Sequence, residues 1–278
     1  MGYLSRAEIE AAVRYHHPEK TLATLPTRPE ISDDMIAPFF GTDVETYKEI
    51  KTAFAERARR CARELLRDRS FADLVERLPF EPGTTVVGIG DSITDDLLSW
   101  FEILRHLFAE SRPESEVRFV NAGISGDTTS RLLSRVLYVL EEEPAWILIL
   151  IGTNDVPFVR EPPTKTLVSR EETAGNLRAL RDLTKSKSDV RLVWMTPPPV
   201  NEDRTASVPA WQPAWRNEDL KKVARLVCEV AGKDPVVDLG KAFGDPANPE
   251  LLLPDGLHPS LTGQKTIAAA LVERLARV

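Results

Sequence analysis

The pattern of apolar and polar positions divides the chain into two parts. Up to about residue 80, apolar residues recur at three- and four-residue steps, which is typical of amphipathic helices. After Pro82, short β-branched runs alternate with amphipathic stretches, which indicates parallel strands joined by helices. We therefore predict a helical N-terminal extension over residues 1–80 and an α/β domain over residues 81–278.

Two capping boxes predict where helices of the extension begin. Ser5 with Glu8, and Thr42 with Glu45, have the spacing at which two side chains satisfy the free amides of a helix start. An apolar stripe follows the second start and needs a surface to pack on. Its members are Val44, Tyr47, Phe54, Ala58, Cys61 and Leu65. A packing layer, a lid and a dimer interface all fit this pattern; we favour packing, with a homodimer as the second expectation.

The second part of the chain predicts five strands and five helices. The strands are expected at residues 85–89, 117–121, 147–151, 190–195 and 236–239, and the helices at residues 95–111, 129–142, 170–187, 215–232 and 261–276. This alternation predicts a three-layer α/β domain with a parallel sheet. Because ligands of such sheets bind beyond the carboxyl ends of the strands, the loops there are the places to look for chemistry.

Composition, charge and the length of apolar runs argue against several classes of protein. The net charge is −7 and basic residues are interspersed with acidic ones, so no nucleic-acid partner is expected. The longest apolar run, residues 146–151, is too short for a membrane span, and the first twenty residues lack a signal-peptide pattern. The two cysteines, Cys61 and Cys228, are expected to be buried thiols. These features predict a cytoplasmic protein.

The loop after the first predicted strand, residues 88–94, has the sequence GIGDSIT. It lacks the third glycine of a dinucleotide fingerprint, the lysine of a Walker A loop and the second glycine of a nucleophile elbow. What remains is Ser92 at a strand-to-helix turn, where a helix dipole favours a developing anion. Taken alone, Ser92 could equally be a helix N-cap.

Three further segments carry candidate chemistry. The sequences NAGISGDT at residues 121–128 and GTND at residues 152–155 offer glycines and an asparagine amide suited to an oxyanion, although both are also common turn sequences. In DGLHP, residues 255–259, the spacing lets Asp255 orient His258 as a base; an incidental histidine in a surface turn is the alternative. The other histidines, His16, His17 and His106, are expected to be structural.

Taken together, the four segments resemble the sequence blocks of the SGNH hydrolase superfamily, the GDSL esterases and lipases. The resemblance runs from Thr84 to the C-terminus, with Ile93 in place of the usual leucine. It implies a flavodoxin-like sheet in the order 2-1-3-4-5 and an acyl-serine mechanism that needs neither a metal nor an organic cofactor. It further implies a triad of Ser92, Asp255 and His258, and an oxyanion hole made by the amides of Ser92 and Gly126 and the side chain of Asn154.

The substrate is the least constrained prediction. The resemblance implies a small-molecule carboxylic ester, and the segments after the third and fourth strands should rim its pocket. Four residues there are candidates for binding a short or medium acyl group or a sugar face. They are Phe158, Arg160, Trp211 and Trp215. The alternative for the aromatic ones is that they pack the extension onto the core.

Three other functions remain open at this point. A metal-dependent phosphohydrolase could use the carboxylates of Asp91, Asp95, Asp96 and Asp155 around Mg²⁺. A flavodoxin-like module could bind a ligand without catalysis. The same acyl-serine chemistry could transfer the acyl group to an alcohol other than water.

Overall fold

The second part of the chain folds around a five-stranded parallel sheet. The computed structural model describes residues 4–24, 30–159, 165–187, 189–208 and 213–278. The strands are β1 (Thr85–Gly90), β2 (Arg118–Gly123), β3 (Trp146–Leu150), β4 (Arg191–Met195) and β5 (Val236–Val237). Their order across the sheet is β2-β1-β3-β4-β5, with every pairing parallel. The predicted order 2-1-3-4-5 and the α/β fold class are confirmed.

Helices cover both faces of this sheet and form the extension before it. Those of the extension are α1 (Arg6–Tyr15), α2 (Pro18–Leu22), α3 (Asp33–Ile36), α4 (Val44–Leu65) and α5 (Arg69–Glu76). Those that follow are α6 (Ser92–Asp95), α7 (Trp100–Ser111), α8 (Thr129–Leu140), α9 (Arg170–Lys187), α10 (Glu202–Ser207), α11 (Asn217–Ala231), α12 (Leu239–Phe243) and α13 (Leu261–Leu275).

Each face of the sheet has its own hydrophobic core. On one face, the strands pack on α8, α9 and α11 through residues such as Ile149 and Leu177. On the other face, Leu148 belongs to a cluster that includes α7, α13 and the helices of the extension. Strands β1 and β3 are buried along their whole length, which explains why their sequences carry almost no polar side chains, whereas the edge strand β2 is partly exposed.

The extension packs against the sheet domain through α4, which lies on α7. Tyr47, Phe54 and Ala58 of α4 are buried in the shared core, as the apolar stripe predicts. The capping box of Ser5 and Glu8 is present at the start of α1. The second predicted box is wrong, because α4 is capped by Asp43, whose side chain accepts a hydrogen bond from the Thr46 amide. Division of the chain into domains at residue 80 stays a prediction.

The single helix predicted over residues 95–111 is divided in the structure. Backbone at Asp96 leaves the helical region, and Ser99 caps a new helix by accepting a hydrogen bond from the Glu102 amide. The interruption turns the Asp96 carboxylate toward the Leu98 amide and the Arg14 side chain. The short helix α6 is therefore separate from α7 and directly follows the end of β1.

Two further expectations are settled by the described residues. Cys61 is buried, but Cys228 is exposed on α11, so the expectation that both thiols are buried is wrong for Cys228. None of the helices in the described part of the chain combines the length and apolar character needed to cross a membrane.

Candidate active site

Ser92 is the first residue of α6, directly beyond the end of β1. The N-cap of this helix is Asp91, whose Oδ1 accepts a hydrogen bond from the Ile93 amide at 3.0 Å. The alternative that Ser92 is itself the cap is therefore wrong. Because capping is supplied by Asp91, the Ser92 hydroxyl is available for another partner. Gly90 lets β1 approach β3 closely, since a Cβ there would overlap the Leu150 carbonyl oxygen.

The Ser92 hydroxyl meets the DGLHP segment from the other end of the chain. Its Oγ lies 3.0 Å from Nε2 of His258, and Nδ1 of the same ring lies 2.8 Å from Oδ2 of Asp255. A carboxylate only accepts hydrogen bonds, so Nδ1 is the protonated nitrogen and Nε2 the acceptor. This tautomer can take a proton from the Ser92 hydroxyl.

The Asp255 carboxylate is oriented by its own turn. Its Oδ1 accepts hydrogen bonds from the amides of Leu257 at 2.8 Å and His258 at 3.0 Å. Burial would raise the pKa of Asp255, but the hydrogen bond and charge of His258, together with these amides, hold that pKa below its usual value. Gly256 makes the turn possible, because it has a φ of 75° and a Cβ there would press against Arg204. Asp255 is thus an ionised and fixed partner for the ring.

The loops that carry the predicted oxyanion residues begin at the same edge of the sheet. Gly90, the last residue of β1, pairs with Gly123 at the end of β2 and with Leu150 at the end of β3. The candidate residues follow these three positions within a few residues along their loops. They are Ser92, Gly126 and Asn154. Neighbouring parallel strands thus bring the three loops to the same edge of the sheet.

The loops that carry Gly126 and Asn154 are tied to each other. Nδ2 of Asn154 donates to the carbonyl oxygen of Asp127 at 3.2 Å. The Asp127 carboxylate accepts from Nε of Arg135 at 2.6 Å, and Arg135 is mostly buried. Burial raises the pKa of Asp127 and outweighs the opposing effect of the Arg135 charge. The Asn154 side chain is therefore held by the loop that contains Gly126.

Residues of the extension reach the same site, which sequence reasoning missed. The Tyr15 ring lies against the His258 ring, with centroids 4.9 Å apart and a tilt of 40°. Arg14 donates to both carboxylate oxygens of Asp96, at 2.7 Å and 2.6 Å, at the end of α6. His17, predicted to be structural, is buried beside Asp95. Arg14 and His17 are each about eighty residues from their partners in sequence, and Tyr15 is more than two hundred residues from His258, so local patterns carry no signal for these contacts.

Comparison with known proteins identifies the family of this site. Residues 89–266, more than half of the chain, match the model of the GDSL-like lipase/acylhydrolase family. The chain belongs to this family. It is a carboxylic ester hydrolase, as the resemblance of its four sequence blocks implies. The extension, residues 1–80, lies outside the match.

Relatives of this esterase include an acetylxylan esterase and a further α/β hydrolase. An acetylxylan esterase from Geobacillus stearothermophilus is 30% identical over 176 residues, which cover 59% of this chain and 74% of that protein. A crystal structure of the same enzyme has a TM-score of 0.56 at 27% identity, covering 70% of this chain and 95% of that one. LAE5, an α/β hydrolase from the metagenome of Lake Arreo, Spain, has a TM-score of 0.58 at 26% identity, with 70% and 96% covered.

The carboxylates considered for Mg²⁺ do not converge in this family member. Asp95 is paired with His17 and Lys20, and Asp96 with Arg14. Asp155 accepts from the amide and hydroxyl of Thr129 and from the Thr173 hydroxyl. Within the described ranges, no group of three or more His, Cys, Asp or Glu side chains is placed to hold a metal ion. Among the residues that the structure describes, the phosphohydrolase alternative therefore finds no metal site.

The four predicted substrate-binding residues have different surroundings. Arg160 and Trp211 lie outside the described residues. Phe158 pairs with Ala214 in a two-stranded antiparallel sheet, and the Arg216 guanidinium lies 4.0 Å from the centre of its ring. Trp215 is 7% exposed, and its Nε1 donates to the Thr153 carbonyl oxygen at 3.0 Å, next to Asn154. Trp215 thus supports the Asn154 loop from the core, and the role of all four in binding substrate stays a prediction.

Asp91 gives this esterase a pH-dependent stability. Burial, together with the charges of Asp127 and Asp155, raises the pKa of Asp91 from 3.8 to about 7. Its Oδ2 has no hydrogen-bond partner among the described residues. Between pH 4 and 7 the folded chain therefore binds a proton that the unfolded chain has lost, so this group's contribution to stability falls as pH rises through that window.

Replacing Asp91 with asparagine should stabilise the protein at pH 8 by on the order of 1–2 kcal/mol. Asparagine keeps an acceptor for the Ile93 amide and removes the buried charge. Thermal unfolding at pH 5 and pH 8 measures the effect, which should be clearly smaller at pH 5 than at pH 8. A variant that is destabilised equally at both pH values would contradict the assignment of a buried, uncompensated carboxylate.

Proposed function

We propose that this esterase hydrolyses esters of short or medium acyl groups, acetylated sugars among them, through an acyl intermediate on Ser92. The observation that carries the proposal is the unbroken set of hydrogen bonds from the Ser92 hydroxyl to His258 and on to Asp255. Catalytic mutants of the related acetylxylan esterase replace a serine, a histidine or an aspartate, which supports the same three residue types here.

In the proposed mechanism, Nε2 of His258 takes the hydroxyl proton while Oγ of Ser92 attacks the acyl carbon. Asp255 stabilises the imidazolium that forms. The carbonyl oxygen becomes an oxyanion, which the amides of Ser92 and Gly126 and the side chain of Asn154 stabilise. When the tetrahedral intermediate collapses, the imidazolium gives its proton to the leaving alcohol. Water then repeats the sequence on the acyl-enzyme and releases the carboxylic acid.

Small acyl groups fit the surroundings of the nucleophile. Ser92 is only 9% exposed, and the Tyr15 ring covers part of His258 beside it. A long acyl chain would need space that these side chains occupy. The activity of the related esterase on acetylxylan supports acetyl as the preferred acyl group.

A panel of p-nitrophenyl esters from acetyl to decanoyl, and of acetylated xylose and xylo-oligosaccharides, tests the proposal. We expect kcat/KM to be highest for acetyl and to fall with acyl length, and the Ser92→Ala variant to be inactive on every member. Equal activity of Ser92→Ala and wild type would contradict the proposed mechanism. A preference for decanoyl over acetyl would contradict the proposed substrate class alone.

Two further expectations belong with this proposal. The amphipathic extension fits a homodimer, and the sequence fits a cytoplasmic location. Light scattering measures the mass in solution, and fractionation of cells measures the location.

A further inference from the structure

A short segment of the extension touches three of the elements proposed to catalyse the reaction, namely α6, His258 and the loop that contains Gly126. We call residues 14–20 the anchor segment and residues 123–127, which contain Gly126, the Gly126 loop. The anchor segment covers the end of α1 and the start of α2. It lies outside the part of the chain that matches the family. Its contacts are therefore a feature of this chain that family membership does not explain.

Lys20 joins the anchor segment to the Gly126 loop. Its ammonium group donates to Oδ1 of Asp95 at 2.5 Å, to the Gly123 carbonyl oxygen at 3.1 Å and to Oδ1 of Asn121 at 3.3 Å. Three acceptors match the three N–H donors of an ammonium group. The side chain is 21% exposed, so these contacts are largely shielded from water.

Asp95 connects Lys20 to Ser125, the residue before Gly126. One oxygen accepts from Lys20 and lies 2.7 Å from Nδ1 of His17, and the other accepts from the Ser125 amide at 2.8 Å. Burial would raise the pKa of Asp95, but His17 and Lys20 lower it to about 2. The carboxylate is therefore ionised at neutral pH. The Ser125 hydroxyl donates to the Tyr15 carbonyl oxygen at 2.5 Å, which ties the loop to the anchor segment directly.

The other end of the anchor segment meets the nucleophile and the base. Arg14 makes its two-point contact with Asp96, four residues after Ser92. The Tyr15 ring packs on His258. A seven-residue segment thus contacts α6, the histidine and the Gly126 loop at once.

We infer that the anchor segment positions the Gly126 loop, and with it one oxyanion donor, so that ester hydrolysis depends on Lys20, His17 and Ser125 as positioning residues. The inference rests on the proposed function, in which the Gly126 amide stabilises the oxyanion. Gly126 is exposed and has a φ of 81°, and no neighbouring atom would touch a Cβ at this position. Its amide is therefore placed by the bonds of its neighbours in the loop rather than by packing of its own.

Loss of these bonds should lower kcat more than it changes KM. An oxyanion donor acts on the charge that develops in the transition state, and a misplacement of about 1 Å can cost on the order of 10²-fold. A segment that only adds stability would change the melting temperature and leave kcat of the folded enzyme unchanged.

The test compares Lys20→Met with Lys51→Met. Lys51 is also in the extension, on α4, where it pairs with Asp33 at 2.9 Å and is more exposed than Lys20. For Lys20→Met on an acetyl ester, we expect kcat to fall roughly 10- to 100-fold, with KM changed by less than about threefold. The rate of Ser92 labelling by a fluorophosphonate should fall by a similar factor. Lys51→Met should match wild type in kcat and in labelling rate.

A milder variant keeps the test decisive if Lys20→Met does not fold. Ser125→Ala removes the hydroxyl, which bonds to the Tyr15 carbonyl oxygen and lies 2.9 Å from Oδ2 of Asp95, and leaves the bond from the Ser125 amide to Asp95. We therefore expect kcat to fall about three- to tenfold. The inference is overturned if the folded variants keep kcat within about twofold of Lys51→Met. Failure of the proposed function looks different, because Ser92→Ala would then remain active whatever the anchor variants do.

Discussion

Replacing Ser92 with alanine is expected to lower kcat for ester hydrolysis by about 10⁴-fold or more. The change removes one oxygen atom, the one 3.0 Å from Nε2 of His258, and with it the nucleophile. The Ser92 amide stays in place, so any residual rate would come from substrate binding and the oxyanion donors alone. The measurement is kcat on an acetyl ester.

The fold should survive this substitution. Asp91, rather than Ser92, caps α6, so the alanine variant loses no helix cap. Its melting temperature and circular dichroism spectrum should match those of wild type. A folded Ser92→Ala enzyme with more than about a tenth of wild-type kcat would contradict the role proposed for this residue.

Replacing Asp255 with asparagine is expected to lower kcat by on the order of 10³- to 10⁴-fold. The amides of Leu257 and His258 both donate to Oδ1, so an asparagine must place its carbonyl oxygen there. Its NH₂ group then faces Nδ1 of His258, which must become an acceptor. The proton of the neutral ring moves to Nε2, and the ring can no longer take the proton of Ser92.

A matched control for this change is Asp43→Asn. Like Asp255, Asp43 accepts a hydrogen bond from the backbone amide three residues later, that of Thr46, at 2.8 Å. This bond caps α4, and Asp43 is exposed on the extension. Asparagine is also a good N-cap, so this variant should keep both its stability and its kcat. If Asp255→Asn behaved like Asp43→Asn, the orientation of the ring by Asp255 would have no catalytic effect.

The sheet could be predicted because each strand carries its own signal. Runs such as the one at β3 are apolar throughout, and this pattern marks a strand covered on both faces. The loops with candidate chemistry follow these strands directly, so placing β1, β2 and β3 also placed Ser92, Gly126 and Asn154 at one edge. The strand order itself came from the family resemblance rather than from periodicity.

Local patterns also misplaced two helix starts. The threonine and glutamate at residues 42 and 45 fit a capping box, yet the neighbouring Asp43 makes the cap, because both residue types serve that role. The helix predicted from residue 95 begins at Trp100 instead, since Asp96 takes bonds from Leu98 and from distant Arg14. Tertiary contacts of this kind are invisible in a local window.

The part of the site supplied by the extension could not be predicted for the same reason. His17 meets Asp95 across 78 residues, and Ser125 meets Tyr15 across 110 residues. Each of these residues by itself fits a solvated helix or a turn. Asp95 comes to lie between His17 and Ser125 only when the chain folds. Its two oxygen atoms then link the extension to the Gly126 loop.

Mass spectrometry of the protein after reaction with a fluorophosphonate tests the central claim most directly. If Ser92 is the nucleophile, we predict one phosphonyl group per folded chain, located on the peptide that contains Ser92. Esterase activity should be lost in step with labelling. The Ser92→Ala variant should remain unlabelled under the same conditions. A folded wild-type enzyme that hydrolyses esters but carries no label on Ser92, or carries it on another residue, would contradict the account.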